Sequence, residues 1–159
     1  MNYRLFLFTS FLLFSIVSFG QASNDWGAFA QSMNAKPYLG KKFILEAAVK
    51  VKLIDKTADA EIWVRVDKPN KKTGFFYNMM DKPIRAKNWE VVKIEGKIDK
   101  DAEYLVFGGL YHGKGIFYFD NFKLSVETSK GNFEEIKIPN GNFEDDTLML
   151  FFTSFQLLS

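Results

Sequence analysis

Over most of this chain apolar and polar residues alternate. In residues 43–52 the odd positions are apolar, while the even positions include Glu46, Lys50 and Lys52. Side chains of a strand point alternately to opposite faces, so this pattern predicts a strand with one face on a core and the other in water. Residues 61–67 repeat it, with Ile62, Val64 and Val66 on the apolar side and Glu61, Trp63, Arg65 and Asp67 on the wet side. Residues 74–78, 89–98, 104–111 and 115–127 also read as strands, and residues 24–37 hold either a further strand around residues 29–33, which is favoured, or a short helix. Residues 104–111 are apolar on both parities, which predicts a strand in the middle of a sheet, covered on both faces. Between these runs lie turn-rich or charged stretches, among them Pro69-Asn70, the segment around Pro83, and residues 112–114. No long window after residue 24 repeats apolar residues at three and four, so no amphipathic helix is expected. Regular strands joined by short turns predict an all-β fold, an antiparallel β-sandwich of jelly-roll type, over residues 24–128.

The two ends differ in kind from the middle. Arg4 precedes an uncharged apolar run at residues 5–17, and Ser18-Phe19-Gly20 puts small residues where a signal peptidase inspects the chain. Residues 5–24 carry no charge, which also suits an uncleaved anchor, but the dense apolar part is shorter than the roughly 20 residues that span a bilayer. A signal peptide over residues 1–20 is therefore expected, with a secreted or periplasmic product that has no stable membrane insertion. At the other end Gly-Asn-Phe-Glu occurs at residues 131–134 and again at 141–144, and residues 147–159 are apolar, uncharged and without alternation.

Composition narrows the partners. With 47% hydrophobic and 17% aromatic residues, a chain of 159 residues can bury a respectable core. Lysine and arginine number 21 against 19 acidic residues, interspersed along the sequence, so nothing calls for a nucleic-acid partner. There is no cysteine, which excludes disulfides, thiolate metal sites and thiol catalysis. His112 is the only histidine, the glycines at 113 and 115 lack the rest of a dinucleotide fingerprint, and no carboxylate spacing singles out a glycosidase pair. The chain is accordingly expected not to be an enzyme.

Several stretches together carry a resemblance. Tyr38-Leu39-Gly40-Lys41-Lys42 leads into a strand ending Ala47-Ala48-Val49-Lys50, and is followed by Ile62-Trp63-Val64-Arg65-Val66-Asp67, Asn78-Met79-Met80-Asp81-Lys82-Pro83-Ile84 and Trp89. Gly115-Ile116-Phe117-Tyr118-Phe119-Asp120-Asn121-Phe122-Lys123-Leu124 completes the series. Over residues 26–127 this resembles the jelly-roll, galactose-binding-like carbohydrate-binding modules found near the N-termini of secreted bacterial hydrolases. The resemblance implies a non-catalytic module whose partner is a polysaccharide or other glycan. The alternative is a structural accessory module docked on an adjacent domain of a longer chain. The opening element of such modules is missing before Tyr38, whereas Asn140-Gly141-Asn142-Phe143-Glu144 resembles it. Residues 129–159 therefore read as a linker and the truncated start of a second module.

Candidate ligand-binding residues are Trp63, Arg65, Tyr77, Asn78, Tyr111 and His112. Aromatic faces stack on sugar rings while amides and charged groups take the hydroxyls. Trp63 has the alternative of packing under a loop or a neighbouring domain, and His112 that of an exposed loop residue. Trp89 opens a strand and is expected in the core. Asp120 shares parity with Ile116, Tyr118, Phe122 and Leu124, so its carboxylate is expected to point inward, where it needs donors or a cation. In the resembling modules the matching acid helps hold a structural calcium. Backbone amides at the sheet edge are the other partners that would satisfy it.

Overall fold

The computed structural model describes residues 25–138 together with the backbone of residues 150–153. Among the described residues nine strands form two antiparallel sheets packed face to face. They are β1 (Trp26–Asn34), β2 (Lys42–Leu53), β3 (Asp59–Lys68), β4 (Lys72–Tyr77), β5 (Glu90–Lys97), β6 (Tyr104–His112), β7 (Gly115–Ser129), β8 (Asn132–Ile136) and β9 (Leu150–Thr153). One sheet has the order β4-β3-β6-β1-β9 and the other β5-β2-β7-β8. The chain crosses between the sheets repeatedly, so strands far apart in sequence pair within each. Among the described residues no helix is long and apolar enough to cross a membrane.

The alternation read from the sequence is the alternation that builds the core. From β2, Phe43, Leu45, Ala47, Val49 and Val51 point between the sheets, and Ile62, Val64 and Val66 of β3 meet them from the other side. Leu105 and Phe107 of β6, with Phe122, Leu124 and Val126 of β7, complete the layer. Fully burying one such side chain is worth about 1.5–3 kcal/mol, so this layer supplies the main drive to fold. The strand expected around residues 29–33 is β1, and β6 lies mid-sheet between β3 and β1, as its apolar character on both parities requires.

Two expectations change. Residues 129–136 are not a linker: β7 turns through Gly131, at φ +81°, into β8, which pairs with it from Leu124↔Ile136 to Ser129↔Asn132. The first Gly-Asn-Phe-Glu copy is therefore a hairpin turn with the strand that follows. Ile138 beyond it is buried in the same core, and β9 pairs with β1 at Gly27–Ala30, so the sandwich continues past residue 128. The second Gly-Asn-Phe-Glu copy and the signal-peptide segment lie outside the described residues.

The other change is at Asp120. Ala48 pairs with Asp120 and Glu46 with Lys123, so Ala47 faces both Asn121 and Phe122, a bulge that reverses the parity of β7. Asn121 takes the extra residue's backbone, at φ +51°. Before the bulge the inward side chains are Phe117 and Phe119, so Ile116, Tyr118 and Asp120 face out; after it Phe122, Leu124 and Val126 face in. The Asp120 carboxylate accepts a hydrogen bond from the Asn121 backbone N–H at 2.7 Å. The inward carboxylate that motivated the calcium reading is thus an outward one. Valine at position 121 should cost roughly 1–2 kcal/mol, because a β-branched residue tolerates positive φ poorly, while glycine should be neutral or stabilising. Urea midpoints of Asn121→Val and Asn121→Gly test this, and equal midpoints would count against the bulge.

Candidate functional site

The outer face of the first sheet carries a groove of about 920 Å³. Its floor follows from register. Trp63 of β3 stands opposite Gly108 of β6, and Gly108 opposite Ala30 of β1. The neighbouring outward row has Leu110 and Ala28. Small residues in the middle strands leave a channel, and larger ones stand around it: Trp26 on β1, Trp63 and Arg65 on β3, and Phe76, Asn78 and Met80 from β4 and the segment after it. Along β6 the lining runs from Val106 to His112, six rises of about 3.3 Å each or roughly 20 Å.

The walls are held by hydrogen bonds that fix side chains. The Trp63 indole N–H donates to the Gly109 carbonyl at 3.3 Å, which lays the ring along the sheet. Arg65 is clamped by Asp67, with Nε donating to Oδ1 at 2.6 Å and Nη2 to Oδ2 at 3.0 Å. At the far end Asp55 ties two loops together, accepting from the Thr57 hydroxyl and N–H and from the Lys114 N–H. The Thr57 hydroxyl, then the Lys114 amide, hold the Asp55 carboxyl below its ordinary value. The result is a preformed wall with polar tips and apolar faces.

Beside this end lies a charged cluster. Asp59 accepts from Arg85 Nη2 at 2.6 Å through Oδ2, and its Oδ1 is 3.2 Å from His112 Nδ1. Glu61 Oε2 is 3.6 Å from the same imidazole nitrogen. Glu61 was assigned to the wet side by alternation, yet it is 2% exposed. The segment after β4 returns over this end of β3 through the Ala60↔Ile84 bridge and covers it. Burial, then the Asp59 carboxylate alongside, push the Glu61 carboxyl up to about 8, against the pull of Arg85.

Of the six residues expected to bind a ligand, the structure brings four to the groove: Trp63, Arg65, Asn78 and His112. Tyr77 and Tyr111 sit on the other parity of their strands. Tyr77 packs against the core and its hydroxyl donates to Asp81 at 2.6 Å. Tyr111 stacks on Phe117 of the opposite sheet at 4.5 Å between centroids. Trp26 lines the groove and was missed, although the outward parity of Trp26, Ala28 and Ala30 against Phe29 carried the signal. Trp89 is not core. It is 48% exposed on the second sheet, 6.2 Å from the Tyr118 ring, and Lys50 Nζ lies 4.8 Å and 4.3 Å from the two ring centres.

No protein-family model and no curated protein matches this sequence. Among solved structures the chain is similar to a CBM4 carbohydrate-binding module, with 17% identity and a TM-score of 0.44 over 63% of this chain and 61% of that one. The CBM22-1 xylan-binding domain from Paenibacillus barcinonensis Xyn10C gives 14% identity and a TM-score of 0.43 over 60% and 62%. A family 16 carbohydrate-binding module gives 10% and 0.34 over 56% and 68%. The chain spans less than two thirds of the first two of these structures, and all three are carbohydrate-binding modules.

Proposed function

We propose that this chain is a secreted, non-catalytic module that holds a polysaccharide chain in the groove on its first sheet. The observation that carries this reading is the pairing of two indoles, Trp26 and Trp63, along a channel floored by Ala28, Ala30 and Gly108. An apolar ring face with hydrogen-bonding groups at its rim is what a sugar ring presents, and the groove offers the complement: indole faces, then Arg65, Asn78 and His112 for hydroxyls. The length of roughly 20 Å along β6 suits several consecutive sugar units better than one. The resemblance read from the sequence supports the same ligand class, and the apolar run behind Arg4 supports export.

A glycan array on the full mature chain tests it. Oligosaccharides of several units should bind and the matching monosaccharide should not; a blank array would refute the proposal. A second reading, an accessory module docked on a neighbouring domain, draws on the exposed Trp89, Val91, Ile116 and Tyr118 of the other sheet. It expects the blank array together with loss of solubility contrast when that face is changed to polar residues.

A further inference from the structure

Asp59, Glu61 and His112 carry no role in the glycan reading beyond the single groove contact of His112, and their geometry is that of a metal cage. One ligand atom from each lies within 4.8 Å of the others. Ligands at about 2.0–2.1 Å around one tetrahedral zinc are separated by roughly 3.3 Å. The distances from His112 Nδ1 to Asp59 Oδ1 and Glu61 Oε2, 3.2 and 3.6 Å, bracket that spacing. A second observation points the same way: Glu61 is 2% exposed, and its Oε2 is buried without a hydrogen-bond partner. A buried carboxylate oxygen with no donor costs free energy that a cation would recover.

We infer that Asp59, Glu61 and His112 form a binding site for a divalent first-row cation of the zinc type. One imidazole nitrogen with two carboxylate oxygens suits such an ion, whereas calcium selects an all-oxygen shell. Three protein ligands leave a coordination position for water or another oxygen ligand. Arg85 holds the second Asp59 oxygen at 2.6 Å and so fixes the carboxylate with Oδ1 turned to the imidazole. The partner that orients a ligand from outside the cage is a usual part of such sites. His112 reaches the site from the groove wall and is half-exposed, which gives the ion a way in.

The test is calorimetric titration of zinc chloride into the untagged mature chain, freed of metal with a chelator, alongside an NMR spectrum of the imidazole nitrogens. The chain has one histidine, so a single pair of ring signals reports the site. Binding of one ion should move those signals and raise the melting temperature, while calcium chloride should do neither. His112→Gln and Glu61→Gln should each weaken zinc binding at least about tenfold. Glu61→Gln keeps the side chain's shape, so its fold in metal-free buffer should survive, and Asp120→Asn should bind zinc as the parent does. No zinc binding up to about 1 mM, or undiminished binding in both variants, would overturn the inference. A response to calcium equal to that for zinc would also overturn it. The titration contains no glycan, so its outcome is independent of the groove's ligand.

Discussion

Gly108→Ala should lower the melting temperature by about 10 °C. Across the centre of the first sheet β1 and β6 approach so closely at this point that a Cβ on residue 108 would overlap the carbonyl oxygen of Phe29. The obstacle is backbone, and backbone already committed to the β1–β6 ladder cannot swing aside as a side-chain tip can. Relief requires the strands to separate, which weakens their pairing from Ala28 to Ser32 and shifts Phe29 against Phe119 and Phe122. Overpacking of a well-ordered core costs typically 1–3 kcal/mol, and the upper end applies where no side chain can yield. About 3 kcal/mol in a domain of this size corresponds to roughly 10 °C. Thermal and urea denaturation of the purified variant measure this directly. A variant within about 0.5 kcal/mol of the parent would show that β1 and β6 are not held at this spacing. The same glycine keeps the groove floor low beside Trp63, so fold and candidate site depend on one missing methyl.

Why alternation served so well for β2 and β3 and failed for β7 is a matter of what a period of two can encode. In β2 and β3 the inward positions from Phe43 to Val51 and from Ala60 to Val66 are all apolar and most outward ones are charged or aromatic, so parity alone orients the strand. In β7 nearly every residue from Ile116 to Phe119 is apolar, and the bulge at Asn121 changes parity without altering composition. The reversal is visible only in the partner strand, where Ala47 meets two residues. Glu61 failed for a different reason: its face of the sheet is wet in general, but the return of Ile84 and Arg85 over that end of β3 is a long-range event. The six expected ligand contacts split along the same line. Trp63 and Arg65 followed from parity in a strand that was read correctly, whereas Tyr77 and Tyr111 were chosen as neighbours in sequence, and a neighbour in a strand points the other way. Trp26 and His112 meet across β1 and β6 at Trp26↔His112, a pairing between residues far apart in the chain that no local pattern announces.

Trp63→Ala should abolish retention of the mature chain on an insoluble polysaccharide that the parent binds. The indole is the central wall of the groove, partly buried, and held along the sheet by its bond to Gly109. Removing it takes away the apolar platform and leaves a wider channel between Arg65 and Leu110, with nothing for a sugar face to rest on. Stacking of this sort is worth about 0.5–1.5 kcal/mol beyond the apolar area it buries, and with that area also lost a chain bound by two indoles should lose at least about tenfold in affinity with either one gone. Stability should fall less: one hydrogen bond contributes about 1 kcal/mol net, and the ring is only partly buried in the native state. Trp63→Phe keeps a ring without the N–H and should fall between parent and alanine variant. Trp26→Ala should weaken retention similarly, because it removes the other indole. Trp89→Ala, on the opposite sheet, should leave retention unchanged, which separates loss of the groove from a general loss of aromatic surface. Affinity gels and thermal melts on the four variants decide the matter. If Trp63→Ala binds as the parent does but melts many degrees lower, the indole is a structural cover over β6; if only Trp89→Ala loses retention, the sugar face is the second sheet.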